Sequence, residues 1–428
     1  MDKSKVYDDV RSLVQFLEKY KWIWNVKTTE LFLTDHIATN MPSEWIMIMK
    51  DWKFEDLHNI IDNKLCYPNS LQEFITGCLN NSTSTGLVRE WTYTDIIKMK
   101  QDIARGMKLK KQHEVSCLAS VVEEICKECN CTSLLDIGSG LGYLGDILMK
   151  QCGMKVVGVE RVTERVQSAF VRRDVPSVTI DINESQKCVD EINEICTSLG
   201  SNVCITGLHC CGDLSPTILH MFYKLIDTVS LLILIPCCYH KRASFNPISE
   251  TINDILRNEG IQFLSIYGFR LASENSFENW LSQSPSDHQQ HCNHVCYRSI
   301  AEIIINKYVF LSSASSPLCN RLRKARYDNF DNFSEDFIRM IKELIPDFKD
   351  HATIEGALSE AYLRFSPFFS LIEPFTGLQM CIRRSIELLI LIDYSLYLKE
   401  RGLNCQLFNI FDEKISPHNI AIIVKRHN

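Results

Sequence analysis

Residues 133–145 read SLLDIGSGLGYLG, a short apolar run that ends in Asp136 and then breaks into Gly138, Gly140, Gly142 and Gly145. The apolar part has the pattern of a strand buried on both faces, and the amphipathic LGYLGDILMKQ after it that of a helix. Glycine suits the turn between them because the backbone must bend at φ angles other residues avoid and pass close to a ligand with no Cβ in the way. The helix then directs its free N–H groups into the same crevice.

Outward from this turn, strands and helices alternate. HEVSCLASVVEEICKE precedes it as a helix, and KVVGVE, VPSVTID, VCITGLH and LLILIP follow as strands two to five. Between them lie the helical TERVQSAFVRRD, CVDEINEICTSL and SPTILHMFYKLID. The alternation predicts an α/β, doubly wound, Rossmann-like sheet. Residues 241–375 interrupt it with polar, proline-punctuated and helical segments. It resumes with a long helix, about 378 to 401, stopped by Gly402, and with CQLFNIF and NIAIIVKR as a terminal hairpin. The expected organisation is a helical region over 1–105, a core over 106–240, an insertion over 241–375 capping an acceptor site, and completion of a seven-stranded sheet by 376–428.

Composition bounds the function. The chain has 428 residues, of which 45% are hydrophobic and 23% charged, too long for one small core and ordinary for a globular protein. A net charge of −7 argues against a surface built for phosphates, although Arg321, Arg323, Lys324 and Arg326 form a local basic patch. RNA is permitted as a partner, and nothing signals DNA. MDKSKVYDDV lacks the apolar core of a secretory signal, and IELLILIDYSLYL is too short and too charged to span a bilayer. Nineteen cysteines without such a signal point to the reducing cytoplasm or nucleus, most of them as small buried hydrophobes.

The glycine turn narrows the cofactor. Glu160 ends the second strand, where a carboxylate can accept both hydroxyls of a ribose. A dinucleotide fingerprint G-x-G-x-x-G fails from Gly138, whose sixth position is Tyr143, and fits from Gly140 only when displaced into the turn and helix. Asp136 inside the strand end suits an ammonium group better than a pyrophosphate. S-adenosylmethionine has that ammonium and no phosphate, so the balance favours it over NAD. Asp181, at the end of the third strand, is either an acceptor for the adenine amine or a solvated aspartate opening a loop.

Through GMKLKKQHEV, LLDIGSGLGYLG, VVGVERVTERVQSA, GLHCCGDLS, LIPCCYHK and SPHNIAIIVK taken together, the chain resembles the methyltransferase-like protein 25 family. The resemblance implies a class I methyltransferase fold with S-adenosylmethionine as cofactor. It is strongest from about 105 to 300 and extends to the carboxyl end. The matching positions are Lys111, His113 and Glu114, Asp136 to Gly142 including Ser139, Glu160 with the adjoining Arg161, His209 to Asp213, and Pro236 to Tyr239. Cys210 departs from the small residue common there. For Lys111, His113 and Glu114, a solvated helix start remains the alternative to cofactor or substrate contact.

Methyl transfer is an in-line displacement at a sulfonium, so the protein mainly positions the acceptor and excludes water. His209 is the candidate base and cofactor contact, Asp213 the second base, and Tyr239 a wall or hydrogen-bond partner for the acceptor. That acceptor is RNA, protein or a small molecule; a scaffold that binds the cofactor without catalysis is the other reading. Zinc at His209, Cys210, Cys211, Cys237, Cys238 and His240 is not expected, because adjacent cysteines at a strand end point to opposite faces and each pair then gives one ligand. Cys126, Cys129 and Cys131 are read as core, and His288, His291, Cys292, His294 and Cys296 as a helix face.

Overall fold

The computed structural model describes residues 3–61, 67–83, 87–309, 315–345 and 351–426. It divides into two compact units, one formed by 1–19, 79–276 and 383–428, the other by 20–78 and 277–382.

The first unit holds the sheet. Its strands are β1 (Val88–Glu90), β2 (Ser133–Ile137), β3 (Lys155–Glu160), β4 (Ser177–Thr179), β5 (Val203–Cys211), β6 (Val229–Cys237), β7 (Asn404–Asn409) and β8 (Ile420–Lys425). They lie in the order β1-β7-β8-β6-β5-β2-β3-β4. Only β8 runs antiparallel, inserted between β6 and β7. This is the doubly wound sheet read from the alternation, with one correction. Among the described residues there are eight strands rather than seven, because Val88–Glu90, inside the region read as helical, adds a parallel edge to β7.

Burial explains the central strands. Every residue of β2 and of β6 is buried, as parallel strands covered on both faces require. From β2 the chain moves outward to β3 and β4, then returns to β5 on the other side of β2. That reversal opens a crevice at the carboxyl ends of β2 and β5, where ligands of open α/β sheets bind.

Two buried charge networks fix the frame. Arg173 meets Asp146 at 3.0 Å, donates to the carbonyls of Ile103 and Arg105, and lies 3.8 Å from the Tyr143 ring centroid. The segment before the sheet is thereby tied to the helix after the glycine turn. Glu387, on the helix Ile372–Glu400, is 1% exposed and gathers Arg384 at 2.9 Å, Arg383 at 3.3 Å, His418 at 2.9 Å and the Tyr239 hydroxyl at 3.1 Å. Burial opposes its charge, but these donors hold the carboxyl well below the usual carboxylate range.

The second unit is helical among its described residues. Phe333, Phe337, Phe375, Trp45 and Phe74 are fully buried in it, and Phe32 stacks on Phe365 at 4.7 Å. His288 and His291 converge on Glu373 at 2.6 and 2.5 Å, while His294 packs against the Tyr327 ring. Among the described residues, no helix is long and apolar enough to cross a membrane.

Removing the Glu387 carboxylate leaves Arg383 buried without its counter-charge. Glu387→Ala is expected to destabilise the protein by roughly 3–5 kcal/mol in urea unfolding. A loss below about 1 kcal/mol, the size of an exposed pair, contradicts the role assigned to it.

Candidate active site

The glycine turn sits where the sheet reverses. Gly138, Gly140 and Gly142 all have positive φ, 75°, 58° and 73°. Their surroundings differ. A Cβ at Gly142 would come within 3.1 Å of Ala169, and one at Gly145 within 2.8 Å of Val175, so these two glycines let the helix pack against its neighbours. A Cβ at Gly138 or Gly140 would meet nothing nearer than 3.8 or 4.0 Å. Contacts at those distances are ordinary, so the positive φ of the turn rather than packing calls for glycine at these two positions.

Two carboxylates border the turn. Glu160, 6% exposed, accepts the amides of Gly140 and Val162, each at 3.1 Å, and so stitches the end of β3 to the turn. Asp136, 3% exposed, is pushed up to about 7, mainly by desolvation, with Glu160 adding to the rise and Lys111 opposing it. It is a carboxyl that lacks sufficient positive charge, and a cationic group brought to it would lower its pKa. Ser139 contributes backbone rather than side chain to this edge: its hydroxyl is buried without a hydrogen bond among the described residues, folded back over Gly158. Gly158 escaped the sequence reading; a Cβ there would lie 2.6 Å from the Ser139 hydroxyl. Arg161 and Asp181 are exposed just beyond β3 and β4.

The other face of the crevice is made by the helix Leu109–Glu128 and the ends of β5 and β6. Lys111 is partly buried, its pKa lowered by desolvation against the pull of Glu114 and Asp136. Glu114 is 2% exposed; burial raises its pKa, but hydrogen bonds from His209 and Ser416 outweigh that and leave it low. His209 Nε2 lies 2.9 Å from Glu114 and Ser416 donates to the same carboxylate at 2.8 Å. A buried carboxylate therefore orients the imidazole at the end of β5. His113 is placed differently, its Nε2 accepting the Asp412 amide at 3.1 Å, so it holds the loop between β7 and β8.

The two Cys-Cys strand ends are irregular. The β5–β6 register shifts between Leu208 and Cys210, and both His209 (φ 63°) and Cys238 (φ 37°) are in the left-handed region that side chains disfavour. Cys210 is buried, with its sulfur 3.9 Å from the Ile137 carbonyl under the glycine turn. Cys211 comes to the other side and meets Cys237 at 3.2 Å. The hydrogen bond from Cys237 lowers the Cys211 pKa and raises that of Cys237. Asp213 is half exposed and accepts the Ala243 amide at 2.9 Å, joining the two strand-end turns. Tyr239 is 2% exposed, with its hydroxyl given to Glu387.

The structure thus gathers Lys111, Glu114, Asp136, Glu160 and His209 around the glycine turn, while His113, Asp213 and Tyr239 are engaged in holding neighbouring segments. Ser416 and His418, which fasten the loop before β8 onto Glu114 and Glu387, were missed in the sequence. The only signal for them was the SPHN string within a motif read for its strand.

Residues 110–244 match the family model for a methyltransferase domain. Among known proteins, the mouse protein called probable methyltransferase-like protein 25 is 26% identical over 235 residues, covering 51% of this chain and 36% of that one. Its human counterpart of the same name is 31% identical over 72 residues, covering 17% of this chain and 12% of its own length. The chain thus spans well under half of either relative. Among solved structures, coclaurine N-methyltransferase bound to N-methylheliamine and SAH is 14% identical, with 89% of this chain and 94% of that one covered at a TM-score of 0.24. At that score the overlay adds nothing to the site, and the fold rests on the strand order and the domain match. The resemblance read from the motifs is borne out: residues 110–244 match a methyltransferase domain, and the chain that carries them is similar to methyltransferase-like protein 25.

Proposed function

We infer that the protein transfers a methyl group from S-adenosylmethionine to an acceptor that reaches the carboxyl ends of β5 and β6. One observation carries the reading: the left-handed glycine turn of Gly138 and Gly140 is bordered by the ribose-competent carboxylate of Glu160 and the charge-deficient carboxyl of Asp136. The residues fit the cofactor's chemistry. Asp136 suits its ammonium, Glu160 its ribose hydroxyls and Asp181 its adenine amine, while the glycines of the turn offer backbone without a Cβ of their own.

Bound there, the cofactor supplies an electrophilic sulfonium methyl. The protein's part is to orient and deprotonate. His209, held by Glu114 through Nε2, is positioned to take the proton of an acceptor hydroxyl, amide or ammonium through its other nitrogen. The acceptor is RNA, protein or a small molecule. The proposed compartment is the cytoplasm or nucleus, in keeping with a chain rich in free thiols.

Binding is tested first. A ligand at 100 times its Kd stabilises its protein by about 2.7 kcal/mol, so S-adenosylmethionine should raise the melting temperature and NAD should not. The combined Asp136→Ala and Glu160→Ala variant should lose that rise; a shift that survives both changes sinks the assignment.

The pH dependence has a definite sign. In the free protein Asp136 is protonated below about 7, and a cationic ligand requires the carboxylate. Affinity should therefore fall as pH drops from about 8 to 6, by up to about tenfold per unit below the pKa, with Asp136→Asn removing the dependence. Isothermal titration at several pH values reads this directly.

Transfer is tested with labelled methyl donor offered to fractionated RNA, protein and metabolite pools. In the pool that takes up label, His209→Gln should slow transfer about 10²–10⁴-fold while leaving cofactor binding within a factor of about three. Cofactor binding with no labelled pool is the outcome expected of a silent scaffold.

A further inference from the structure

Cys211, Cys237 and Cys238 stand apart from the cofactor residues. Their sulfurs all lie within 4.8 Å of one another, the one such group of potential metal ligands found among the described residues. The expectation of one ligand per Cys-Cys pair fails for a local reason. Cys238 leaves the end of β6 at φ 37°, so its side chain returns to the side of Cys237 instead of alternating away from it. On the partner strand, Cys210 turns under the glycine loop and only Cys211 joins the group.

The grouping is built into the backbone. Gly212, at φ 58°, packs so tightly against the next turn that a Cβ would lie 2.6 Å from the Lys241 carbonyl. The Ala243 amide is pinned to Asp213 at 2.9 Å. These contacts bring two strand-end turns together at the point where the three thiols meet. Left-handed conformation in a residue other than glycine costs about 1–3 kcal/mol and persists where surrounding structure enforces it.

We propose that Cys211, Cys237 and Cys238 form a site for a soft divalent cation, zinc or a chemical equivalent, held by three thiolates. A tetrahedral ion with Zn–S bonds near 2.3 Å sets its sulfurs about 3.8 Å apart. The observed spacing, from 3.2 Å between Cys211 and Cys237 to no more than 4.8 Å across the group, brackets that value. Small side-chain adjustments suffice. Each ligating thiol releases one proton to solvent, and three thiolates around a divalent ion leave one net negative charge. Lys111 and Lys241 supply positive charge within electrostatic reach of Cys237 and Cys211. Three protein ligands leave the fourth position to a ligand from solution, as in sites where zinc binds a water or a substrate sulfur rather than only bracing the fold. Cys211 and Cys238 are both partly exposed, which gives the ion a way in.

The test uses the full chain, reduced, stripped of metal and titrated with Zn²⁺ against a chromogenic chelator. About one equivalent should bind to the wild type and to Cys152→Ser, a change outside the group. Less than about a tenth should remain in the triple Cys211→Ser, Cys237→Ser, Cys238→Ser variant. Because that variant could fail to fold, Co²⁺ is added to the wild type as an independent probe. A near-ultraviolet sulfur-to-cobalt charge-transfer band with the visible bands of a tetrahedral centre supports the site. Its absence overturns the proposal, as does wild-type zinc uptake no greater than that of a folded triple variant. Recovery of a Cys211–Cys237 disulfide together with no metal uptake after reduction also overturns it, in favour of a redox pair.

Discussion

A carboxylate withdrawn from water must be surrounded by donors, and the donors it recruits fix the chain around it. Glu387 does this for the carboxyl half of the sheet. Its oxygens collect Tyr239 from the turn after β6, Arg383 and Arg384 from its own helix, and His418 from the loop entering β8. Since β8 pairs with both β6 and β7, that loop sets the register of the sheet's antiparallel part. Glu114 holds the same loop from the side of the glycine turn, with Ser416 on one oxygen and His209 on the other. The candidate base and the closing strand thus depend on one pair of buried acids.

The fold was legible because its signals are local. Apolar runs such as SLLDI and LLILIP are buried over their whole length, and the glycines of 138–145 serve the turn and the packing that their spacing implies. What escaped has long-range causes. The Ser416–Glu114 bond spans 302 residues and the Tyr239–Glu387 bond 148, and neither partner carries a periodicity that names the other. His113 was readable as a site residue but not as a clasp on the Asp412 amide. β1 was missed because three residues with one partner strand, at an edge, carry almost no pattern.

The cysteine pairs show where a sound rule meets its limit. Alternation of side chains holds inside a strand. It lapses at the strand end, where Cys238 takes a left-handed conformation, and at the register shift beside His209. Both departures occur at the crevice end of the sheet, next to the glycine turn. Strained backbone gathered at one rim of a fold is itself a pointer to function, since packing alone gives no reason to retain it.

The position of β8 has a consequence for the order in which the sheet can close. It follows β6 and β7 in the chain, yet it lies in the interior of the sheet between them. Until it docks, β6 has an open edge, Glu114 lacks Ser416 and Glu387 lacks His418. A sheet with every glycine and carboxylate of the crevice already in place therefore still has an unfinished crevice wall. Docking of β8 completes that wall and covers a long apolar edge that is otherwise open to mispairing.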